Sequence, residues 1–418
     1  MKKIRLFRIL FLAGALLALL GAGAPAKWGF FGHRRLNRLA VFTLPPGMIG
    51  FYKKHIEYLT EHAVDPDKRR YATRHEAPRH FLDLDRYGTF PFDHIPRRWA
   101  EACARFSDVY VITPDSDTLL LVGYEQVREE NGRWLLADTL APSRRYWPAE
   151  GIDKKAYLAW FTQRLLPQFY EEEWRTSCDS LKQVFGVDFP CSEVIGVDTF
   201  SAHGVLPYNL VQVQRRLTEA FRSGNLPVIL RQSAELGHYI GDAHVPLHTT
   251  ENYNGQLTGQ LGIHAFWESR IPELFADQKY DYFVGPAVYI PDVEEYYWNM
   301  VFDSHRLVDS VLLIEKQLSL TFPPDKQYCY EERLGATIRT QCKEYAAAYQ
   351  EAMKGMVERR WRETIKSIGS AWYTAWVDAG QPDLLRLNGA QADPLTSKLI
   401  KEMDAAFKKG RAFGRPHE

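Results

Sequence analysis

Five residues of metal-ligating type fall in one stretch, and their spacing restricts the fold more than any other feature of the chain. The sequence reads His238-Tyr-Ile-Gly-Asp242, then His248, then His264-Ala-Phe-Trp-Glu268. Residues four apart share one face of an α-helix. Each of the pairs His238/Asp242 and His264/Glu268 therefore predicts a helix that aims an imidazole and a carboxylate at one point. A single helical histidine is ordinarily a surface or hydrogen-bonded residue. Two such pairs joined through His248 instead call for helices whose ligand faces converge. Imidazole and carboxylate donors without thiolate suit zinc, manganese or iron, whereas an all-oxygen set points to calcium or magnesium.

Helical patterning continues around this stretch. From 207 to 222, Leu210, Val213, Leu217 and Phe221 recur at helical spacing, with Pro207 suited to a first turn and Gly224 to a stop. A second helix is predicted over about 226–244, ended by Pro246, and one long or two shorter helices over 345–377. Strand-like text is confined mainly to 109–112, 118–123 and, after a turn at Asn131-Gly132, 133–136, which predicts a small β-hairpin insertion. The chain shows no repeat and no heptads, and from Lys408 onward it reads as a frayed basic tail. The fold class predicted is all-α with a small insertion.

The first 26 residues read differently. Lys2, Lys3, Arg5 and Arg8 precede an apolar run over 9–24, and Ala24-Pro25-Ala26 offers the small residues that signal peptidase accepts. The run is shorter than the about 20 apolar residues that span a bilayer. Residues 1–26 are therefore expected to be a cleaved signal peptide and the remainder to be exported to the periplasm or beyond. An exported protein has no reduced iron supply, which favours zinc. Oxidation permits disulfides, for which Cys178/Cys191 and Cys329/Cys342 are the natural pairs, leaving Cys103 over; no CxxC spacing is present. With 52 Lys and Arg against 52 Asp and Glu, no whole-protein field advertises nucleic acid or an anionic membrane as partner.

The run His238-Tyr-Ile-Gly-Asp-Ala-His-Val-Pro-Leu-His248 resembles the central motif of the superfamily that unites zinc-dependent phospholipases C with single-strand-specific zinc nucleases. That motif is His, three residues, Asp, five residues, His. His264 with Glu268 resembles the next block, Asp65 with His80 an earlier one, and Trp28-Gly-Phe-Phe-Gly-His33 the family's start. The resemblance implies a helical core around three zinc ions. Asp65, His80, His238 and Asp242 are implied for the first zinc, and His248, His264 and Glu268 for the second. Trp28, through its amine and carbonyl, and His33 are implied for the third, with Asp242 bridging it to the first. It also implies phosphodiester hydrolysis, zinc lowering the pKa of a bound water to about 7. Asp65 beside the attacking water is then a candidate general base.

On this reading 27–418 is a single hydrolase domain. An expected insertion at about 95–195 and an extended helical region from about 280 make it longer than the family usually runs. Cleavage after Ala26 leaves Lys27 ahead of Trp28, and trimming by one residue would restore the amine ligand. The expected substrate is a phospholipid or a single-stranded nucleic acid; no stable protein partner is implied. Glu268, rather than Asp, and the short interval from His248 to His264 resemble the phospholipase branch. Pro66 and Ala77 stand where that branch places aromatics against choline, so a cation–π box for that head group is missing. Phe81 stands where the nucleases stack a base. The competing class is a non-catalytic zinc protein, but closed structural sites have four protein ligands, and the second site here offers three. Of the other histidines, His244 is expected as a hydrogen-bonded neighbour of the ligands, His203 in a loop, and His55, His62 and His75 at the surface. The run Tyr296-Tyr297-Trp298 is expected in the core.

Overall fold

The structure is a computed structural model that describes residues 30–137, 141–171, 173–333, 336–387, 394–410 and 412–415. The expected signal peptide and the candidate ligand Trp28 lie outside the described residues. Among the described residues no helix is long and apolar enough to cross a membrane. The chain divides into two compact units, one formed by Met1–Phe81 with Asn209–Glu418 and the other by Leu82–Tyr208.

The first unit is predominantly helical. Three of its helices pack against one another: α1 (Phe30–Ala40), α2 (Leu226–Ala243) and α3 (Met356–Asp378). The Asn225 side chain caps α2 by accepting from the Val228 amide at 3.3 Å, and Pro227 sits in its first turn. From Gln232 onward every residue of α2 is buried, the mark of a helix at the centre of a core. Close approach of α1 depends on two glycines four apart on α2, which face two residues four apart on α1. A Cβ at 237 would land on Asn37 Oδ1, and one at 241 would lie 2.9 Å from His33 Nδ1. Glycine costs a helix roughly 0.5–1 kcal/mol relative to alanine, here exchanged for contact between the two backbones. Asn37 spans the gap, donating to the carbonyls of Leu59 at 3.3 Å and Ala234 at 3.1 Å. On α3, Trp372 Nε1 donates to the Ser233 carbonyl at 2.9 Å while its ring stacks on Tyr52.

The predicted helices appear with small shifts. The first spans Leu206–Ser223 and stops at Gly224, whose φ is +66°. The stretch 345–377 forms two helices, Lys343–Ala352 and α3, separated where Lys354 and Gly355 both take positive φ. Tyr297 and Trp298 are buried, and Tyr297 donates to Gln214 at 2.7 Å. Two features of this unit depart from the sequence reading. Tyr328–Arg333 and Ala336–Gln341 form an antiparallel hairpin beside the Cys329–Cys342 disulfide. Where a frayed tail was expected from Lys408 onward, the described residues 412–415 include a tertiary contact: the Phe413 amide donates to the Arg70 carbonyl at 2.8 Å.

The second unit, Leu82–Tyr208, holds more strand than the small β-hairpin expected within an otherwise helical chain. Its strands are β1 (Asp108–Ile112), β2 (Thr118–Val122), β3 (Val127–Glu130), β4 (Arg133–Leu136), β5 (Ile152–Asp153), β6 (Trp174–Thr176) and β7 (Glu193–Val197). They form a four-stranded antiparallel sheet in the order β2-β1-β7-β6 and a three-stranded sheet β3-β4-β5. Tyr110 stands opposite Leu120 on one side and Ile195 on the other. The turn at Asn131-Gly132 takes positive φ at both residues, as a tight hairpin with right-handed strand twist requires. Trp134, Tyr157, Trp160 and Phe161 fill the interior, Cys178 pairs with Cys191, and Cys103 is buried and unpaired.

Candidate metal centre

Every candidate ligand within the described residues lies in the first unit, and all but Asp65 gather in one cluster there. Helix α2 supplies His238 and Asp242 one turn apart, and α1 supplies His33 across the glycine contact. Two 3-10 turns, Ala77–His80 and Pro246–Thr249, present His80 and His248. The helical segment Ile263–Ala265 carries His264 and widens into a π-helical turn, Phe266–Arg270, that carries Glu268. Such widened turns are rare and collect at functional sites.

The ligand-type atoms converge in three groups, each with its atoms within 4.8 Å of one another: Asp67, His80 and His238; His248, His264 and Glu268; and His33, His238 and Asp242. In the first, His80 Nδ1 lies 3.1 Å from His238 Nε2, and Asp67 Oδ1 lies 3.9 and 3.8 Å from those two nitrogens. In the second, His248 Nε2 lies 3.1 Å from His264 Nε2, with Glu268 Oε2 at 3.5 and 2.8 Å. Asp242 joins the first group to the third, its Oδ2 2.9 Å from His80 Nδ1 and its Oδ1 3.5 Å from His33 Nε2. Nε2 of His238 can serve one ion, which leaves His33 and Asp242 as what the described residues offer a third.

Asp65 is the exception. Its Oδ2 pairs with His62 Nδ1 at 2.6 Å and its Oδ1 with Lys68 Nζ at 3.2 Å, so both oxygens are engaged away from the histidine groups. Residues two apart on a helix point to nearly opposite sides, and Asp67 takes the inward position. His62, expected as a surface residue, is the group that holds Asp65. The spacing His62, Asp65, Lys68 puts base, acid and base three apart on one helical face, the signal that Asp65 would be neutralised locally.

The hydrogen bonds on the outer nitrogens fix what the inner ones can do. His238 Nδ1 is 2.8 Å from the Ala63 carbonyl, His248 Nδ1 2.6 Å from the His80 carbonyl, and His264 Nδ1 3.1 Å from the Tyr253 carbonyl. A carbonyl only accepts, so each Nδ1 carries a proton, and any of these rings in its neutral form turns a lone pair inward from Nε2. Two lone pairs 3.1 Å apart repel unless a cation lies between them. Nitrogens bound to one tetrahedral zinc at about 2.0–2.1 Å sit about 3.3 Å from each other, close to the 3.1 Å found in both pairs.

The charges point the same way. Burial opposes ionisation of Asp242 and Glu268, yet the surrounding histidines hold both carboxyls well below the usual range. Burial and the neighbouring His238 push His33 down to about 4, and burial lowers His264. For His238 burial is outweighed by Asp242 and Asp67, which carry it up to about 9, and for His248 burial is outweighed by Asp242 and Glu268, so positive charge is favoured at both rings. Five imidazoles and three carboxylates with no thiolate form a donor set that fits zinc.

A further carboxylate stands behind the first group. Glu76 is fully buried, its Oε1 3.7 Å from His80 Nε2, and it receives Arg79 at 2.8 Å, Arg69 at 3.3 Å and the Tyr239 hydroxyl. Burial opposes its charge, but Arg69 and the His80 and Arg79 side chains hold the carboxyl well below the usual range. A carboxylate behind a ligating histidine orients the ring. Glu76 and His80 are four apart, the same spacing that marked the two expected pairs. His244 is buried, its Nδ1 2.7 Å from the Ile240 carbonyl, and burial with Arg360 keeps it neutral. Known proteins offer no relative: no family model, no curated protein and no solved structure matches the chain.

Proposed function

We propose that this chain is an exported zinc-dependent phosphodiesterase of the phospholipase C type, retaining the three-zinc reading with Asp67 in place of Asp65. The observation that carries the proposal is the pair His248 and His264, whose inward nitrogens stand 3.1 Å apart while both outer nitrogens are committed to backbone carbonyls. Asp67, His80, His238 and Asp242 would hold a first zinc, His248, His264 and Glu268 a second, and His33 with Asp242 a third that the α-amine of Trp28 would complete. Zinc so held would supply a bound water acidic enough to lose its proton near neutral pH and a positive field for the phosphoryl oxygens.

The protein's own groups do the rest. The side chains of His80, His238 and Asp242 are at most 2% exposed, whereas those of Asp67 and Glu268 are 20% and 16% exposed. The two carboxylates therefore form the wet edge of the cluster, where a diester enters. Asp67 then has the general-base role that the resemblance gave to Asp65, because its carboxylate faces the histidines and still reaches solvent. Glu76 keeps His80 turned inward, and the carbonyls of Ala63, His80 and Tyr253 lock the other rings.

Hydrolysis of bis(p-nitrophenyl) phosphate, abolished by a chelator and restored by zinc, is the test. Active protein without zinc by elemental analysis would sink the reading. A single-strand nuclease is the second reading, favoured by Phe81: this ring follows His80 and takes the planar Arg415 guanidinium at 3.8 Å. A base stacked there would gain about 1–3 kcal/mol. If the parent protein cleaves no lipid and Phe81→Ala sharply raises KM for single-stranded DNA, the assignment passes to the nucleases.

A further inference from the structure

The helix Val293–His305 and α3 are joined at two places along their length. Tyr296 Oη lies 2.8 Å from Ser367 Oγ, and the Arg360 guanidinium donates to Ser304 Oγ at 2.5 Å. Since the earlier residue of one helix meets the later residue of the other, the two run antiparallel. Beside these contacts lies a groove of about 450 Å³, within the range of roughly 300–1,000 Å³ that small-molecule sites occupy. Met300, Leu307 and Met356 give it an apolar wall. His244 and Arg360 line both this groove and a small space beside His33 and Glu268, so they stand between the groove and the metal centre.

The charge in the groove is uneven. Arg359, Arg360 and Lys366 line it against Asp303 and Glu363. Asp303 is paired with Arg306 at 2.5 Å, and Glu363 with Arg360 at 2.5 Å. Among the described residues Arg359 and Lys366 meet no carboxylate, and donate instead to the backbone carbonyls of Lys354 and Pro286. An exposed cation without a partner is ordinary, but a buried one short of negative charge is not.

Arg360 is such a cation. It is 7% exposed, and burial holds its pKa below the usual value even though Glu363 and Asp303 act to raise it. A guanidinium has five N–H donors. Here Nε donates to the His244 carbonyl at 3.0 Å, Nη1 to Glu363 and Nη2 to Ser304, which leaves two donors without a partner among the described residues. The Glu363 side chain is 52% exposed, so solvent screens the one carboxylate that answers this buried charge.

We propose that this groove binds a small organic anion, its carboxylate or phosphate head at Arg359 and Arg360 and its apolar body along Met300, Leu307 and Met356. An oxyanion there supplies the negative charge that Arg360 lacks and accepts charge-assisted hydrogen bonds from its remaining donors. Lys366, about two turns further along α3, adds attraction over the length of the groove. The site lies outside the metal centre and does not depend on the phosphodiesterase reading.

The experiment titrates zinc-loaded protein calorimetrically with hexyl phosphate and with hexanoate, which share a body and differ in the head, and with 1-hexanol as the uncharged control. The parent is compared with Arg359→Ala/Lys366→Ala, with Asn299→Trp, which fills the groove from its exposed rim, and with Glu363→Gln, after thermal melting has shown each to be folded. At least one of the two anions should bind, with Kd raised about tenfold by the double substitution and by Asn299→Trp, and lowered severalfold by Glu363→Gln, which frees Arg360. The tighter of the two names the head group. No binding of either anion overturns the proposal, as does hexanol binding equal to theirs. Affinity unchanged in Arg359→Ala/Lys366→Ala overturns it by placing the anion on the zinc ions. Affinity unchanged in Asn299→Trp overturns it by placing the anion on surface charge outside the groove, and weaker binding in Glu363→Gln by removing Arg360 as the anchor.

Discussion

The two histidine–carboxylate pairs look alike in sequence and are built differently. His238 and Asp242 lie on a regular helix buried all round, pressed by α1 through Gly237 and Gly241, so their positions are set by the packing of the whole unit. His264 and Glu268 lie where a short helix widens into a π turn, and the Glu268 side chain stays 16% exposed. The first pair is a piece of core that carries ligand-type side chains; the second is a ligand-type pair at an edge. A trinuclear centre needs both, because rigid donors fix the metals while an open side admits water and substrate.

If that contrast is right, the largest effect comes from the buried pair. His238→Ala removes a ligand from the first group and a fully buried, hydrogen-bonded ring from the core. Activity should fall by more than the about 10–100-fold that accompanies loss of an outer-shell partner. At least one zinc should be lost, with a lower Tm. Elemental analysis and calorimetry on one preparation check both. A variant that keeps its full zinc complement would end the assignment of His238 as a ligand.

Gly241→Ala probes the packing itself. The added Cβ would sit 2.9 Å from His33 Nδ1, closer than such contacts occur, and overpacking of this kind costs about 1–3 kcal/mol. Since His33 belongs to the third group, zinc content should drop towards two while the other two ions remain. Unchanged Tm and unchanged zinc would mean that α1 slides freely on α2, contrary to the buried contact described above.

At the open pair the outcome should divide differently. Glu268→Gln removes a charge from a side chain that already meets solvent, so zinc at the second group and turnover should both fall by roughly 10–100-fold in affinity and rate. Tm of the metal-free protein should hardly move. Chelator competition followed by thermal melting of the stripped protein measures the two separately, and a large loss of apo-protein stability would erase the distinction between core-borne and edge-borne ligands.

The sequence made the edge and the core equally visible wherever spacing alone carried the signal. His238/Asp242 and His264/Glu268 were legible because a four-residue interval has one meaning on a helix, and the helices 207–222 and 226–244 because helical patterning agreed with a stop, Gly224 for the first and Pro246 for the second. The same interval between Glu76 and His80 passed unnoticed because it lies in a short turn rather than a long amphipathic run. Strands β3, β6 and β7 and the 328–341 hairpin were missed because they are short or polar, so period-two alternation had too few apolar positions to register. The C-terminal segment read as a frayed tail because basic residues at a terminus look solvated. Only tertiary contacts with Arg70, Phe81 and Tyr253 give Phe413 and Arg415 a place.

The smallest expected effect separates two aspartates that sequence could not rank, since Asp65 and Asp67 precede His80 by similar distances in one Asp-Pro-Asp-Lys run. Asp67 carries Oδ1 to within 4 Å of His80 and His238, so Asp67→Asn should weaken the first zinc and slow hydrolysis about 10–100-fold, with a shift in the pH–rate profile if its carboxylate takes the proton. Asp65 instead pairs with His62 and Lys68, both on its own stretch of chain and both less than a quarter exposed. Replacing it with Asn trades two charge-assisted contacts for weaker ones. That should cost about 1–2 kcal/mol of stability while leaving zinc content intact and activity within a few-fold of the parent. Paired measurement of Tm, zinc and kcat/KM decides the ranking. If Asp65→Asn abolishes turnover with its zinc retained and Asp67→Asn does little, Asp65 regains the base role implied by the resemblance, and the His62–Asp65–Lys68 grouping must open when the metal centre is assembled.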